Sequence, residues 1–232
     1  MPPTIVLVHG AFAESASWDR VIDALLGAGH PVIAAATPLR GLAADAAAVS
    51  DVVQTVDGPV VLVGHSYGGA VISNVDADAG AITGLVYVNG FAPEAGETCF
   101  QLAGLFPGST LGDTLETVGT DLVISQARFH AQFAADVPAE QAQRMAVTQR
   151  PVAREALLEP VGERPLWKEA PSWFLIGELD ITIPAAAQHY MADRARAHHK
   201  IEVPGASHAL PVAHAAATAH LIREAAAVHA AV

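Results

Sequence analysis

The chain has 232 residues, 52% of them hydrophobic, and a formal net charge of −12 with only 12 Lys and Arg, so it offers no basic face for nucleic acid and its acidic balance serves solubility. The single cysteine, Cys99, excludes an internal disulfide and a cysteine-based zinc cluster and fits a reducing compartment. No apolar run reaches the roughly 18–20 residues that span a bilayer, and Met1-Pro2-Pro3-Thr4 has no basic region ahead of an apolar stretch; a cytoplasmic protein with no membrane partner is expected, either monomer or homodimer.

In chain order, Thr4-Ile5-Val6-Leu7-Val8 is a buried-strand pattern that stops at His9-Gly10. The spacing predicts a helix over 17–28: Ser17 can cap it, Trp18, Val21, Ile22, Leu25 and Leu26 share one face, and Gly27 and Gly29 end it. A strand over 31–36, a helix over 42–56, a strand over 59–63, a helix over 69–79 and a strand over 82–88 follow. From about 91 to 170 the alternation lapses into Pro, Gly and acidic loops around short helical patterns at 100–106, 122–134 and 139–147. It resumes with a strand over 172–176, a helix over 185–197, a strand over 200–203 and a last helix over 212–228. Buried runs separated by amphipathic helices predict an α/β fold, a doubly wound and mainly parallel sheet of about six strands. The expected organisation is one domain: a core of 1–90 and 171–232, with a mostly helical cap over about 91–170 inserted above the carboxyl ends of the strands.

The third strand runs into Gly64-His65-Ser66-Tyr67-Gly68-Gly69. Gly-x-Ser-x-Gly alone is a weak signal; between a strand and a helix it has the layout of a nucleophile elbow, with the Ser66 hydroxyl lifted off the sheet. Glycine at 64 and 68 removes Cβ clashes against neighbouring backbone. A serine hydroxyl needs a base, and the base needs an acid that fixes its tautomer. In this architecture the order is serine, acid, histidine, on loops after the strands that follow the cap. Asp180, in Gly177-Glu178-Leu179-Asp180, is assigned as the acid with Glu178 as its rival, and His208, after Pro204-Gly205-Ala206-Ser207, as the base. His65 is expected to pack beside the nucleophile, and His189, His198, His199, His214, His220 and His229 fall in predicted helices or at their ends. The oxyanion formed on attack needs two donors, assigned to the backbone N–H of Tyr67 and of Ala11, where Gly10 permits close approach. No His-Glu-x-x-His or similar spacing is present, so no metal is expected.

Together these segments resemble the α/β-hydrolase superfamily. Val6-Leu7-Val8-His9-Gly10-Ala11-Phe12, then Trp18 and Leu25-Leu26-Gly27-Ala28-Gly29-His30, look like the small cofactor-free bacterial esterases related to plant methyl esterases and hydroxynitrile lyases. The elbow, the 177–184 segment and Gly205-Ala206-Ser207-His208 match in order, so the likeness covers most of the chain and is weakest in the cap. It implies a triad of Ser66, Asp180 and His208 with oxyanion donors at Ala11 and Tyr67. The plant lyases carry threonine and lysine where this chain has Gly10 and Ala209, and Ala209 supplies no charge to stabilise cyanide; haloalkane dehalogenases carry aspartate where this chain has Ser66.

The expected reaction is two-step hydrolysis of a small to medium, mostly apolar carboxylic ester or lactone through an acyl-enzyme, with water as second substrate and activity falling as His208 protonates. Phe12, Phe100, Phe106, Phe129 and Phe133 are the expected pocket residues, each also readable as packing, and Cys99 is read as cap packing. The same triad also suits C–C, amide or carbonate cleavage, or a ligand receptor that turns over slowly.

Overall fold

The computed structural model describes residues 2–228. His229, read above at the end of the last helix, lies outside the described residues.

Apolar, β-branched runs form β1 (Thr4–Val8), β2 (Val32–Ala35), β3 (Pro59–His65) and β4 (Ala81–Val88). They are joined by α1 (Asp19–Gly27), α2 (Leu42–Gln54) and α3 (Tyr67–Ser73). The stretch that follows holds α4 (Cys99–Ala103), β5 (Leu115–Val118), β6 (Asp121–Ile124), α5 (Gln126–Phe133), α6 (Ala139–Thr148), β7 (Val152–Ala153) and α7 (Arg154–Leu158). Then come β8 (Ser172–Gly177), α8 (Ala185–Arg194), β9 (His199–Val203), α9 (Leu210–Ala213) and α10 (Ala215–Ala227).

The central sheet has six strands in the order β2-β1-β3-β4-β8-β9, and every pairing in it is parallel. Side chains alternate across it. Val6, Val8, Leu62, Leu85, Tyr87 and Phe174 face one core with residues of α2, α3 and α8; Ile5, Leu7, Val61, Val63, Trp173 and Leu175 face the other with Val21, Leu25, Leu221 and Ile222 of α1 and α10. Each such side chain, fully withdrawn from water, contributes about 1.5–3 kcal/mol. Helices on both faces leave the carboxyl ends of β1, β3, β8 and β9 as the edge from which loops carry polar groups. Among the described residues no helix is long and apolar enough to cross a membrane.

The stretch between β4 and β8 differs in detail from its sequence reading. It adds a three-stranded antiparallel sheet, β5-β6-β7. Residues 122–124, read as the start of a helix, pair with β5 instead, and Gln149 bonds both main-chain groups of Ile124 at 2.8 Å. Ser17 caps no helix; it lies in a 3-10 turn and donates to the Glu14 carbonyl at 2.7 Å. The last predicted helix breaks at His214, whose backbone leaves helical angles between α9 and α10.

Candidate active site

Ser66 sits between β3 and α3 with φ 55° and ψ −123°, a conformation that an L-residue holds only when its surroundings fix it. The chain packs here without room for side chains. A Cβ on Gly64 would lie 2.4 Å from the Gly68 carbonyl oxygen, and one on Gly68 would lie 2.4 Å from that of Val8. The Ser66 N–H donates to Val88 O at 3.3 Å, and its carbonyl accepts from Gly69 and Phe91 N–H at 2.9 and 3.1 Å. The loop after β1 passes equally close: a Cβ on Gly10 would lie 2.7 Å from Ser66 Cβ.

Asp180 and His208 meet across the ends of β8 and β9. His208 Nδ1 lies 2.7 Å from Asp180 Oδ2, and neither side chain has any exposure. Asp180 Oδ1 accepts from the N–H groups of Thr182 and Ile183 at 2.8 and 3.0 Å, and Oδ2 also accepts from Gln188 Nε2 at 3.0 Å. The carboxylate is thereby fixed before the imidazole reaches it. His208 Nε2 is buried and has no hydrogen-bond partner. Phe133 packs edge-on to His208, with ring centroids 4.8 Å apart. Glu178, the rival acid, is exposed and accepts from Gly205 N–H at 2.7 Å, bracing the turn after β9 without touching His208.

His65 is buried beneath the site. Its Nε2 donates to the His208 carbonyl at 2.9 Å, and the two rings are 4.9 Å apart. Burial, and secondarily the nearness of His208, holds its pKa well below the ordinary imidazole value. Tyr67 donates its hydroxyl to Asp45 at 2.7 Å; burial raises the pKa of both groups.

A cavity of about 460 Å³ opens over Ser66, with Ala11, Phe12, Tyr67, Phe91, Cys99, Phe100, Leu111, Leu122 and Leu157 in its walls. Ser109, Thr182 and Arg154 are its other polar lining residues. Of the five expected pocket aromatics, Phe12 and Phe100 line it. Phe106 instead packs on Tyr190 at 5.8 Å between centroids, and Phe129 stacks at 5.1 Å on Phe133, which stands against His208 outside the cavity wall. Phe129 and Phe133 lie on α5 and Phe106 in the bend after α4, and spacing alone does not reveal which way these rings turn. Burial pushes the Cys99 thiol pKa up, which suits packing rather than reactivity. Among the described residues no group of three or more His, Cys, Asp or Glu is arranged to hold a metal ion.

Two polar residues that the motifs do not single out hold the loop bearing His208. Asn89, at φ 42° just after β4, donates through Nδ2 to the carbonyls of Ser207 and His208 at 2.9 and 3.1 Å. Asp136 accepts from the Ser207 N–H at 3.1 Å and from its hydroxyl, and pairs with His214 Nε2 at 2.9 Å. Burial works to raise the Asp136 pKa, but these bonds outweigh it and the net shift is downward. An asparagine tolerating positive φ at a strand end is the only local signal either position carries.

A model of an alpha/beta hydrolase family matches residues 5–221. A carbendazim hydrolyzing esterase of Nocardioides sp. (strain SG-4G) is 36% identical over 113 residues, covering 42% of this chain and 46% of that protein. The match thus spans just under half the length of that relative. Among solved structures, a pyrethroid hydrolase from Sphingobium faniae JZ-2 superposes with a TM-score of 0.79 at 22% identity, covering 99% of each chain. Polyneuridine aldehyde esterase superposes with a TM-score of 0.80 at 17% identity, over 97% of this chain and 99% of its own. At such identities the likeness is one of fold.

Proposed function

The chain belongs to the alpha/beta hydrolase family, and on that premise we propose that it is a carboxylic ester hydrolase working through an acyl-enzyme on Ser66. The observation that carries this reading is the buried His208–Asp180 pair, 2.7 Å apart, in the same fold edge as a serine held at φ 55° in the wall of a largely apolar cavity.

In the proposed reaction the ester carbonyl lies over Ser66. His208 Nε2, unpartnered in the free protein, takes the Oγ proton as Oγ attacks; such bonds tighten when substrate binds. Asp180 keeps the other ring proton on Nδ1 and stabilises the imidazolium. The amides of Ala11 and Tyr67 receive the oxyanion. Both residues line the cavity with Ser66, and Tyr67 opens α3, so its N–H has no acceptor within the helix. The alcohol leaves with the proton from His208, and water activated by the same ring frees the acid. Residues 91–170 act as a cap over 1–90 and 171–232, and their apolar contribution to the cavity favours small to medium uncharged esters or lactones. The names of the relatives, an esterase and a pyrethroid hydrolase, point the same way.

The test is turnover of p-nitrophenyl acetate and butyrate, alongside a series of ester chain lengths and lactones. Hydrolysis by the wild type and its abolition in Ser66→Ala, with circular dichroism unchanged, is the expected result. Full activity in Ser66→Ala rejects the assignment.

A further inference from the structure

We propose that His65 and Asn89 are positioning residues that set the His208 imidazole by gripping its main-chain carbonyl from two sides. The inference rests on the reading of His208 as the base.

The oxygen of His208 accepts from His65 Nε2 at 2.9 Å and from Asn89 Nδ2 at 3.1 Å. A carbonyl oxygen only accepts, so Nε2 of His65 must carry its ring proton, and Nδ1 is left bare; it is buried and unpartnered. The low pKa of His65 keeps it in this neutral form. The Asn89 amide has only one orientation that works. Its Oδ1 accepts from Gly177 N–H at 2.6 Å, while Nδ2 faces the carbonyls of Ser207 and His208. Both side chains are almost wholly buried, His65 at 1% and Asn89 at 0% exposure.

The two grips come from different elements. His65 ends β3 and adjoins the nucleophile, whereas Asn89 follows β4 and also ties down the start of the loop carrying Asp180. Serine, acid and histidine loops are thus cross-linked through one carbonyl and one amide. Asp180 restrains the imidazole at Nδ1; the carbonyl grip restrains the backbone from which the ring hangs. With both ends fixed, Nε2 keeps its place. Without the grip, the loop retains Asp136 on Ser207 but loses its inner anchor, and misplacement on the order of 1 Å can lower turnover roughly 100-fold.

The experiment measures p-nitrophenyl butyrate hydrolysis by Asn89→Ala, Asn89→Asp, His65→Leu and His65→Gln. His208→Ala serves as the reference for loss of the base, and the Nδ1–H proton of His208 is followed by NMR. Asn89→Ala and His65→Leu are expected to lower kcat by roughly 10- to 100-fold with KM within about twofold, and to move the His208 resonance. The Gln amide nitrogen reaches the place of Nε2, so His65→Gln should keep about tenfold more kcat than His65→Leu. Asn89→Asp retains the acceptor for Gly177 but turns lone pairs toward two carbonyls, and should resemble Asn89→Ala. If the smaller variants do not fold, the two isosteric ones decide: an active His65→Gln with a crippled Asn89→Asp supports the grip, and the reverse overturns it.

Wild-type kcat in Asn89→Ala, or equal losses in His65→Leu and His65→Gln, overturns the inference while leaving the triad in place. A fully active His208→Ala removes the triad and the grip's purpose together. Should none of the esters be hydrolysed, the NMR arm still decides, because a His208 resonance unmoved in Asn89→Ala overturns the inference.

Discussion

A buried nitrogen without a partner normally costs about 1–3 kcal/mol, and His208 Nε2 is such an atom. The proposed mechanism gives it a use, since only an unoccupied acceptor can take a proton from Ser66. Asp180 decides which nitrogen stays free. In Asp180→Asn the amide oxygen would keep its place against the Thr182 and Ile183 N–H groups, turning NH2 toward His208 Nδ1. That selects the tautomer with hydrogen on Nε2, which cannot act as base. We expect kcat for p-nitrophenyl butyrate to fall on the order of 10⁴-fold with KM little changed and the fold retained; a loss under about tenfold would remove Asp180 from the role proposed for it. Asp180 could be singled out in the sequence because chain order and the preceding strand constrain it. Asn89, Asp136 and Gln188 could not. Their roles depend on which distant loop arrives beside them, and a lone asparagine or aspartate in a loop has many uses.

Helix α2 begins after Gly41, which has no side chain to cap it. Glu159, just past α7, supplies the missing acceptor: its carboxylate takes the N–H groups of Leu42 at 2.5 Å and Ala43 at 3.3 Å. A carboxylate at a helix N-terminus also meets the favourable end of the dipole. At the same corner Arg40 pairs with Asp121 at 2.9 Å and donates to the Pro151 carbonyl at 3.0 Å, so the segment between β4 and β8 is fastened to α2. Glu159→Ala should cost about 1 kcal/mol in urea unfolding, as loss of a helix cap does, with the Arg40 pair worth less because it is solvated. An unchanged urea midpoint for Glu159→Ala would show that the contact does not act as a cap. The apolar face of α2 and the strands of the central sheet are written in local periodicity, and their expected bounds lie within a few residues of those observed. The cap of α2 is not, because it lies 117 residues away. Strands β5 to β7 escape for the same reason: they are two to four residues long and exist through pairing with one another.

At the scale of the whole molecule, His9 and His65 are buried histidines whose pKa values are both lowered. His9 accepts from Thr37 N–H at Nε2, 3.2 Å away, and burial lowers its pKa; His65 is lowered further by the same cause. Unfolded, both take up protons near the ordinary value of about 6.5. Below that pH the unfolded chain binds more protons than the native one, so stability is full above about 6.5 and declines as pH falls toward the lowered native values. Between pH 7.5 and 5.5 the protein should therefore lose stability, with both histidines acting in the same direction. The raised pKa of Asp45, caused by its burial, works in the opposite direction. Urea unfolding at the two pH values reads this directly; equal stabilities would mean that the buried rings protonate in place. The proposed mechanism requires that Ser66 Oγ accept the acyl group. A fluorophosphonate probe followed by peptide mass mapping tests that most directly: one adduct on Ser66, forming far more slowly in His208→Ala, is the predicted outcome, whereas an adduct on another residue, or none in a preparation that hydrolyses esters, would contradict it.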